Sequence, residues 1–150
     1  MPRPEIVDTF VTAVVNVMQQ VLGEEAKLVA TRYARDVDPS PSITVSIELS
    51  GTMNGPVTWS FSPTLARSVA QAMLLGQAQE EHHADAVAEL ANIVLGNAIG
   101  ALTDAGYLIE LHPPAIRPRD QSREGEQALV VDISSGSGQM KLLFDLVEAA

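Results

Sequence analysis

Several residue types are scarce or missing. The chain has no cysteine, which excludes disulfides, thiol catalysis and Cys-ligated zinc. It carries only 9 Lys plus Arg against 19 Asp plus Glu, a formal net charge of −10. Nucleic acids and anionic membranes attract the opposite charge, so neither is expected as a partner. No apolar run approaches the ~20 residues of a membrane span, and the N-terminal segment is too interrupted by polar residues for a signal peptide. We therefore expect a cytoplasmic protein.

Aliphatic side chains dominate the composition. The chain is 46% hydrophobic but only 4% aromatic, so its core is expected to consist of Val, Leu, Ile, Ala and Met. Its 150 residues are enough for one domain with a sizeable core. We predict a single domain over residues 1–150.

The hydrophobic pattern predicts the order of elements. Apolar residues recur at helical spacing near residues 5–22, with Gly23 as a stop. Residues near 26–35 and 42–50 are predicted to be strands, the second because its apolar and polar residues alternate. A hairpin connection over 51–55 leads to a third strand at 57–61. Ser62-Pro63 predicts the start of a helix over 64–75, and a long helix follows over 84–105, closed by Gly106.

The remainder predicts short strands around one polar loop. Residues 108–112, 128–134 and 140–147 are predicted to be extended, and 117–127 a flexible loop. The order is α-β-β-β-α-α-β-β-β, and its hairpin-length connections favour antiparallel pairing. We therefore predict an α+β domain with an antiparallel sheet of about six strands and three helices, two of them long.

The long helix carries an unusual polar strip. Because a helix turns about 100° per residue, four positions share one narrow face: Asp85, Glu89, Asn92 and Gly96. A solubilising face would normally mix Lys, Arg and Glu, yet this strip has no base. Gly96, on the same strip, removes side-chain bulk where a partner could approach. The opposite, apolar side is assigned to Leu90, Ile93, Val94, Asn97 and Ala101.

The spacing of this strip resembles a known family motif. Asp85, three residues, Glu89, two residues, Asn92, twenty-one residues and Pro114 form a pattern similar to that of the chemotaxis phosphatases CheX, CheC and FliY. The sequence around the helix motif, around His112-Pro113-Pro114 and in the hairpin at 47–58 also resembles this family. The resemblance implies the CheX/CheC-like fold for most of the chain.

The resemblance also implies an activity. Proteins of this family hydrolyse the aspartyl phosphate on a CheY-type response regulator. Carried over, Asn92 would orient the attacking water and Glu89 would engage the regulator's lysine, with Asp85, Gly96 and Pro114 in supporting or partner-binding roles. No cofactor of the chain's own is implied, because the regulator would supply Mg²⁺.

The motif occurs once in the chain. The first helix has Asp8, but Thr12 and Val15 stand where the Glu and Asn would fall. This resembles the single-site CheX type more than the two-site CheC type. Single-site members look like homodimers, so a homodimer is expected by analogy.

Other interpretations stay open at this point. The same strip fits a non-catalytic adaptor for a receiver domain or a flagellar-switch-like module, and less well a small-molecule enzyme with a Glu base. Within the helix, Gly96 is better explained by close helix packing than by partner access, and Asn97 by a buried structural hydrogen bond. Residues 80–83, Glu-Glu-His-His, lack the His-x₃-His spacing, so no metal site is expected.

Overall fold

The computed structural model describes residues 4–34, 43–73, 82–113, 115–116 and 128–148. The predicted order of elements is confirmed, and two short strands are added to it. The helices are α1 (Pro4–Leu22), α2 (Pro63–Met73) and α3 (His83–Asp104). The strands are β1 (Lys27–Ala34), β2 (Ile43–Gly51), β3 (Met53–Phe61), β4 (Ile109–Leu111), β5 (Ala115–Ile116), β6 (Ala128–Ser135), β7 (Gly138–Phe144) and β8 (Val147–Glu148).

One antiparallel sheet organises the domain. Its strand order is β1-β6-β7-β3-β2-β4, while β5 pairs with β2 and β8 pairs with β3. The predicted α+β class, with six main strands and three helices, is confirmed. The two additional strands are only two residues long, which is too short for an alternating pattern to reveal them.

Strand β2 shows why the sheet has one apolar and one polar face. Val45, Ile47 and Leu49 are buried in the core, because alternate side chains of a strand point to the same face. On the opposite face, the Ser46 and Thr58 hydroxyl oxygens lie 3.4 Å apart across β2 and β3. The polar alternation in the sequence is therefore a cross-strand hydroxyl pairing.

The three helices and the apolar face of the sheet enclose one core. Helices α1 and α3 contact each other along their lengths, and the Tyr107 hydroxyl donates to Glu5 Oε1 at 2.5 Å. This bond places the first turn of α1 beside the end of α3. Trp59 and Phe61 belong to the core, as predicted, with ring centroids 6.1 Å apart.

Local chemistry fixes the element ends as the sequence predicts. The Leu65 amide donates to Ser62 Oγ at 3.4 Å at the start of α2. Gly23 and Gly106 follow α1 and α3 with φ of 67° and 99°, the left-handed conformation that favours glycine.

Glu24 joins the end of α1 to the β6–β7 hairpin. Its carboxylate accepts hydrogen bonds from the Ser135 hydroxyl at 2.5 Å, the Ser137 amide at 2.9 Å and the Ser137 hydroxyl. Burial raises the pKa of Glu24, but these bonds lower it more, and the pKa falls below its ordinary value of 4.5. The charged carboxylate therefore stabilises this connection.

Helix α3 would also suit a membrane span by length and composition alone. Its apolar side chains, however, include the buried residues Val87, Leu90, Val94, Leu95 and Leu102, which pack in the domain core. A core helix of this length meets the same criteria.

Candidate functional site on helix α3

The polar strip of α3 lies on the surface. Asp85, Glu89 and Asn92 are all exposed, and within the described part of the chain their side chains make no hydrogen bond or ion pair. Glu89 and Asn92 are three residues apart, which corresponds to about 4.5 Å along the helix axis. The acid and the carboxamide are therefore presented side by side to the outside.

The buried face of the same helix holds this strip in place. Leu90, Val94 and Leu95 are each at most 1% exposed and belong to the single core. Closely packed core side chains restrict rotation of a helix about its axis. At the other side, Asp85 stands in the first turn, where an acidic residue interacts favourably with the helix dipole.

The apolar side of α3 is narrower than predicted. Leu90 and Val94 are buried, but Ile93, Asn97 and Ala101 are exposed. The predicted buried hydrogen bond of Asn97 is therefore wrong. The reason is tertiary: this side of α3 faces a groove beside α1, which the helical period of α3 alone does not reveal.

The preferred explanation of Gly96 is also wrong. A Cβ built on Gly96 meets no atom within 4 Å, and the residue is exposed. Close helix packing within the described chain therefore does not require glycine here. The partner-access role of Gly96 stays a prediction.

A polar groove between α1 and α3 was missed by the sequence analysis. Its volume is about 430 Å³. It is lined by Asp8, Thr9, Thr12, Ala13, Asn16, Gln20, Asn97 and Ala101. Polar residues recur at every fourth position of α1, at Asp8, Thr12, Asn16 and Gln20, which indicates an exposed face of that helix. This spacing does not indicate that the face lies beside Asn97 of α3.

Helix α1 does not repeat the strip of α3. Asp8 and Thr12 are exposed, whereas Val15 is partly buried and packs against the core. The described part of α1 therefore offers neither an acid nor a carboxamide at the two equivalent positions, in agreement with a single motif.

Pro114 lies outside the described residues, so its predicted supporting role is untested. The segment just before it is held on β2: the His112 amide donates to the Glu48 carbonyl oxygen at 3.0 Å, and His112 Nε2 lies 3.2 Å from Ser50 Oγ. Gly51 makes this close approach of the chain feasible, because a Cβ there would collide with the Leu108 carbonyl. His112 therefore has a structural position.

A metal-binding cluster is not found in the described segments of the chain, where no group of three or more His, Asp or Glu side chains could hold an ion. Glu80 and Glu81 lie outside these segments.

Comparisons with known proteins agree with this fold. The family model described as chemotaxis phosphatase CheX matches residues 43–134, which is more than half of the chain. A curated relative, the CheY-P phosphatase CheX of Thermotoga maritima, is 26% identical over 114 residues, covering 74% of each chain.

Solved structures share the fold at lower identity. A CheX chemotaxis protein from Vibrio vulnificus matches with a TM-score of 0.82 and 21% identity, covering 95% of this chain and 99% of that one. A CheX–CheY–BeF3–Mg²⁺ complex from Borrelia burgdorferi matches with a TM-score of 0.71 and 20% identity, covering 97% and 100% of the two chains. From the family match and the fold, the chain belongs to the CheX family of chemotaxis phosphatases.

Proposed function

We propose that this protein accelerates hydrolysis of the aspartyl phosphate on a CheY-type response regulator. Asn92 orients the attacking water, and Glu89 engages the lysine beside the regulator's phosphoryl group. The observation that carries the proposal is the exposure of an acid and a carboxamide side by side on a helix that the core holds in place.

The main chemical task of this chain is to orient the attacking water. Phosphoryl transfer is governed by positioning and by electrostatic stabilisation of the transferring oxygens. We infer that the regulator supplies Mg²⁺ and lysine for the second task, and the Borrelia burgdorferi relative is a complex with CheY that contains Mg²⁺. No metal or nucleophile of this chain is then needed.

A carboxamide suits the first task. Asn92 offers both a hydrogen-bond donor and an acceptor without a charge. It holds a water in line with the phosphorus atom, whereas a carboxylate at this position would repel the phosphoryl oxygens. Its exposed position on α3 allows it to enter the active site of another protein.

Glu89 suits the second task. Its carboxylate lies one helical turn from Asn92, so both side chains reach the same region of a partner. A lysine that meets this carboxylate forms a charge-assisted hydrogen bond. Asp85, one turn before Glu89 on the strip, adds negative charge to the same contact.

The expected homodimer fits the edge strand β1. Every described side chain from Lys27 to Tyr33 is exposed, including Leu28, Val29 and Tyr33 at 53%, 64% and 46%. Among the described strands β1 is the last at one end of the sheet, and an edge strand that exposes apolar side chains is a template for pairing with another chain. We propose that β1 pairs with a second copy, which leaves the strip on α3 accessible.

A phosphate-release assay tests the activity directly. A purified CheY-type receiver domain is phosphorylated with acetyl phosphate, freed of excess reagent and mixed with this protein in the presence of Mg²⁺. We expect faster phosphate release in proportion to the protein added. Binding of the phosphorylated regulator with an unchanged decay rate would instead select the adaptor interpretation.

A further inference from the structure

The groove between α1 and α3 has the chemistry of an interface. Of its eight lining residues, only Asp8 is ionisable; the polar others are Thr9, Thr12, Asn16, Gln20 and Asn97. A solvated helix face usually carries many charges, whereas the centre of a protein–protein interface is depleted in them. The groove therefore differs from an ordinary solvated surface.

The polar groups in the groove are available to a partner. Thr9 donates from its hydroxyl to the Glu5 carbonyl oxygen at 2.7 Å. The other four, and the Asp8 carboxylate, make no side-chain hydrogen bond to the rest of the described chain. Donors and acceptors of both helices thus face one open space of about 430 Å³.

The groove is continuous with the strip of α3. Residues four apart form a ridge on a helix surface. The ridge that begins at Glu89 continues through Ile93, which is 36% exposed, to Asn97 and Ala101 in the groove. Asn97 lies about 12 Å from Glu89 along the axis, well within the footprint of one partner.

A second exposed row runs beside this ridge, from Asn92 through Gly96 to Gly100. A Cβ on either glycine meets nothing within 4 Å, and neither glycine has a positive φ. Each costs the helix about 1 kcal/mol relative to Ala. Nothing in the described chain offsets that cost, whereas close approach of a partner's backbone would do so.

We propose that the α1–α3 groove is a second docking surface for the response regulator, one that receives a segment adjoining the phosphorylation site while Glu89 and Asn92 enter that site. This inference rests on the proposed function. The groove determines affinity and choice of regulator, and the strip determines turnover.

The lining favours a regulator segment over a second copy of this chain. Unpaired carboxamide and hydroxyl groups suit a polar segment, and the Asp8 carboxylate suits a cationic side chain at one end. A symmetric pairing of two copies through the groove would bring each Asp8 towards the same acidic surface of a chain whose net charge is −10.

A pair of arginine substitutions on α1 tests this assignment. Asn16→Arg fills the groove, and Gln19→Arg adds the same charge at an exposed α1 position that does not line it. Phosphate release is measured against regulator concentration. For Asn16→Arg we expect the half-saturating regulator concentration to rise about tenfold, with an unchanged maximal rate. For Gln19→Arg we expect the half-saturating concentration to change less than about twofold.

Each outcome decides something. Equal half-saturating concentrations for the two variants would overturn the groove assignment while leaving the phosphatase proposal intact. If the unsubstituted protein does not accelerate phosphate release, the proposed activity is refuted. In that case, calorimetric titration with the same phosphorylated regulator tests whether the groove binds it. Undiminished binding by Asn16→Arg would overturn the groove assignment. A change of oligomeric state in Asn16→Arg alone, seen by light scattering, would assign the groove to a second copy instead.

Discussion

Helices α1 and α3 lie side by side, and each has an acidic residue, Asp8 or Asp85, at the first position of the same spacing, yet their surfaces differ. On α3 the three positions are Asp85, Glu89 and Asn92, and all are exposed. On α1 they are Asp8, Thr12 and Val15, and the last packs against the core. The comparison teaches that spacing alone does not reproduce the strip of α3, because the third position must also point to solvent and carry a carboxamide.

The largest expected effect comes from removing the exposed carboxamide of α3, compared with removing an exposed carboxamide of α1. Asn92→Ala should lower the maximal rate of phosphate release by about 100-fold or more, because the attacking water loses its orientation. The fold should be unaffected, since truncation at an exposed position changes the free energy of unfolding by about 0.5 kcal/mol or less. Phosphate release and urea unfolding measure the two quantities.

The matched control is Gln19→Ala, which removes an exposed carboxamide from α1. It should retain the full rate. Full activity of Asn92→Ala would remove this residue from the mechanism.

The next effect concerns the acid. Glu89→Gln keeps the size of the side chain but removes its charge, and should weaken regulator engagement about tenfold because one charge-assisted hydrogen bond is lost. The dependence of the rate on regulator concentration measures it. Glu25→Gln removes an exposed acid after α1 and should leave the rate curve unchanged.

A charge exchange sharpens this prediction. Glu89→Lys is mixed with a regulator whose phosphate-site lysine is replaced by Glu. The two variants should bind each other more tightly than either variant binds its natural partner. Independent effects of the two changes would contradict the proposed pairing.

Grafting the α3 pattern onto α1 tests the role of orientation. Thr12→Glu with Val15→Asn reproduces the spacing, but we expect no activity from it in an Asn92→Ala background. We also expect the free energy of unfolding to fall by about 1 kcal/mol, because Val15 loses apolar contact with the core. Restored phosphate release would show that spacing is sufficient after all.

Replacing a glycine of α3 should stabilise the fold and weaken regulator binding. Gly96→Ala should raise the free energy of unfolding by about 1 kcal/mol, since Ala is the better helix former and its Cβ has open space. It should also weaken regulator binding. Thr103→Ala, at an exposed position nearer the end of α3, should stabilise without that loss. Unweakened binding by Gly96→Ala would argue against close approach of a partner there.

The smallest effect lies where α1 ends. Because the pKa of Glu24 is lowered in the folded state, its charge stabilises the fold above its ordinary pKa of 4.5. This stabilisation is lost as the pH falls through the lowered folded value. The difference in free energy of unfolding between the natural protein and Glu24→Gln should therefore be largest near neutral pH and shrink below pH 4.5. A constant difference over that range would remove Glu24 as its source.

The order of elements could be predicted from the sequence because each depends on local chemistry. The alternation of Val45, Ile47 and Leu49 predicts β2, and Ser62 and Gly106 mark helix ends. The exposure of Glu89 and Asn92 could be predicted as well, because the helical period places both roughly opposite the buried Val94.

The groove could not be predicted, because it depends on how two helices distant in sequence pack together. Asn97 stands among apolar residues in the linear pattern, but α1 leaves its side of α3 open. Likewise β5 and β8 are defined by their hydrogen-bonded partners β2 and β3, since two residues carry no periodic signal.

The core position of Trp59 has a practical consequence. It is the chain's one tryptophan and is 1% exposed beneath the helices, so its emission reports the interior. Unfolding should shift its fluorescence to longer wavelength, whereas contact at α3 should leave it nearly constant. One optical signal can thus distinguish a damaged variant from one that has merely stopped recognising its regulator.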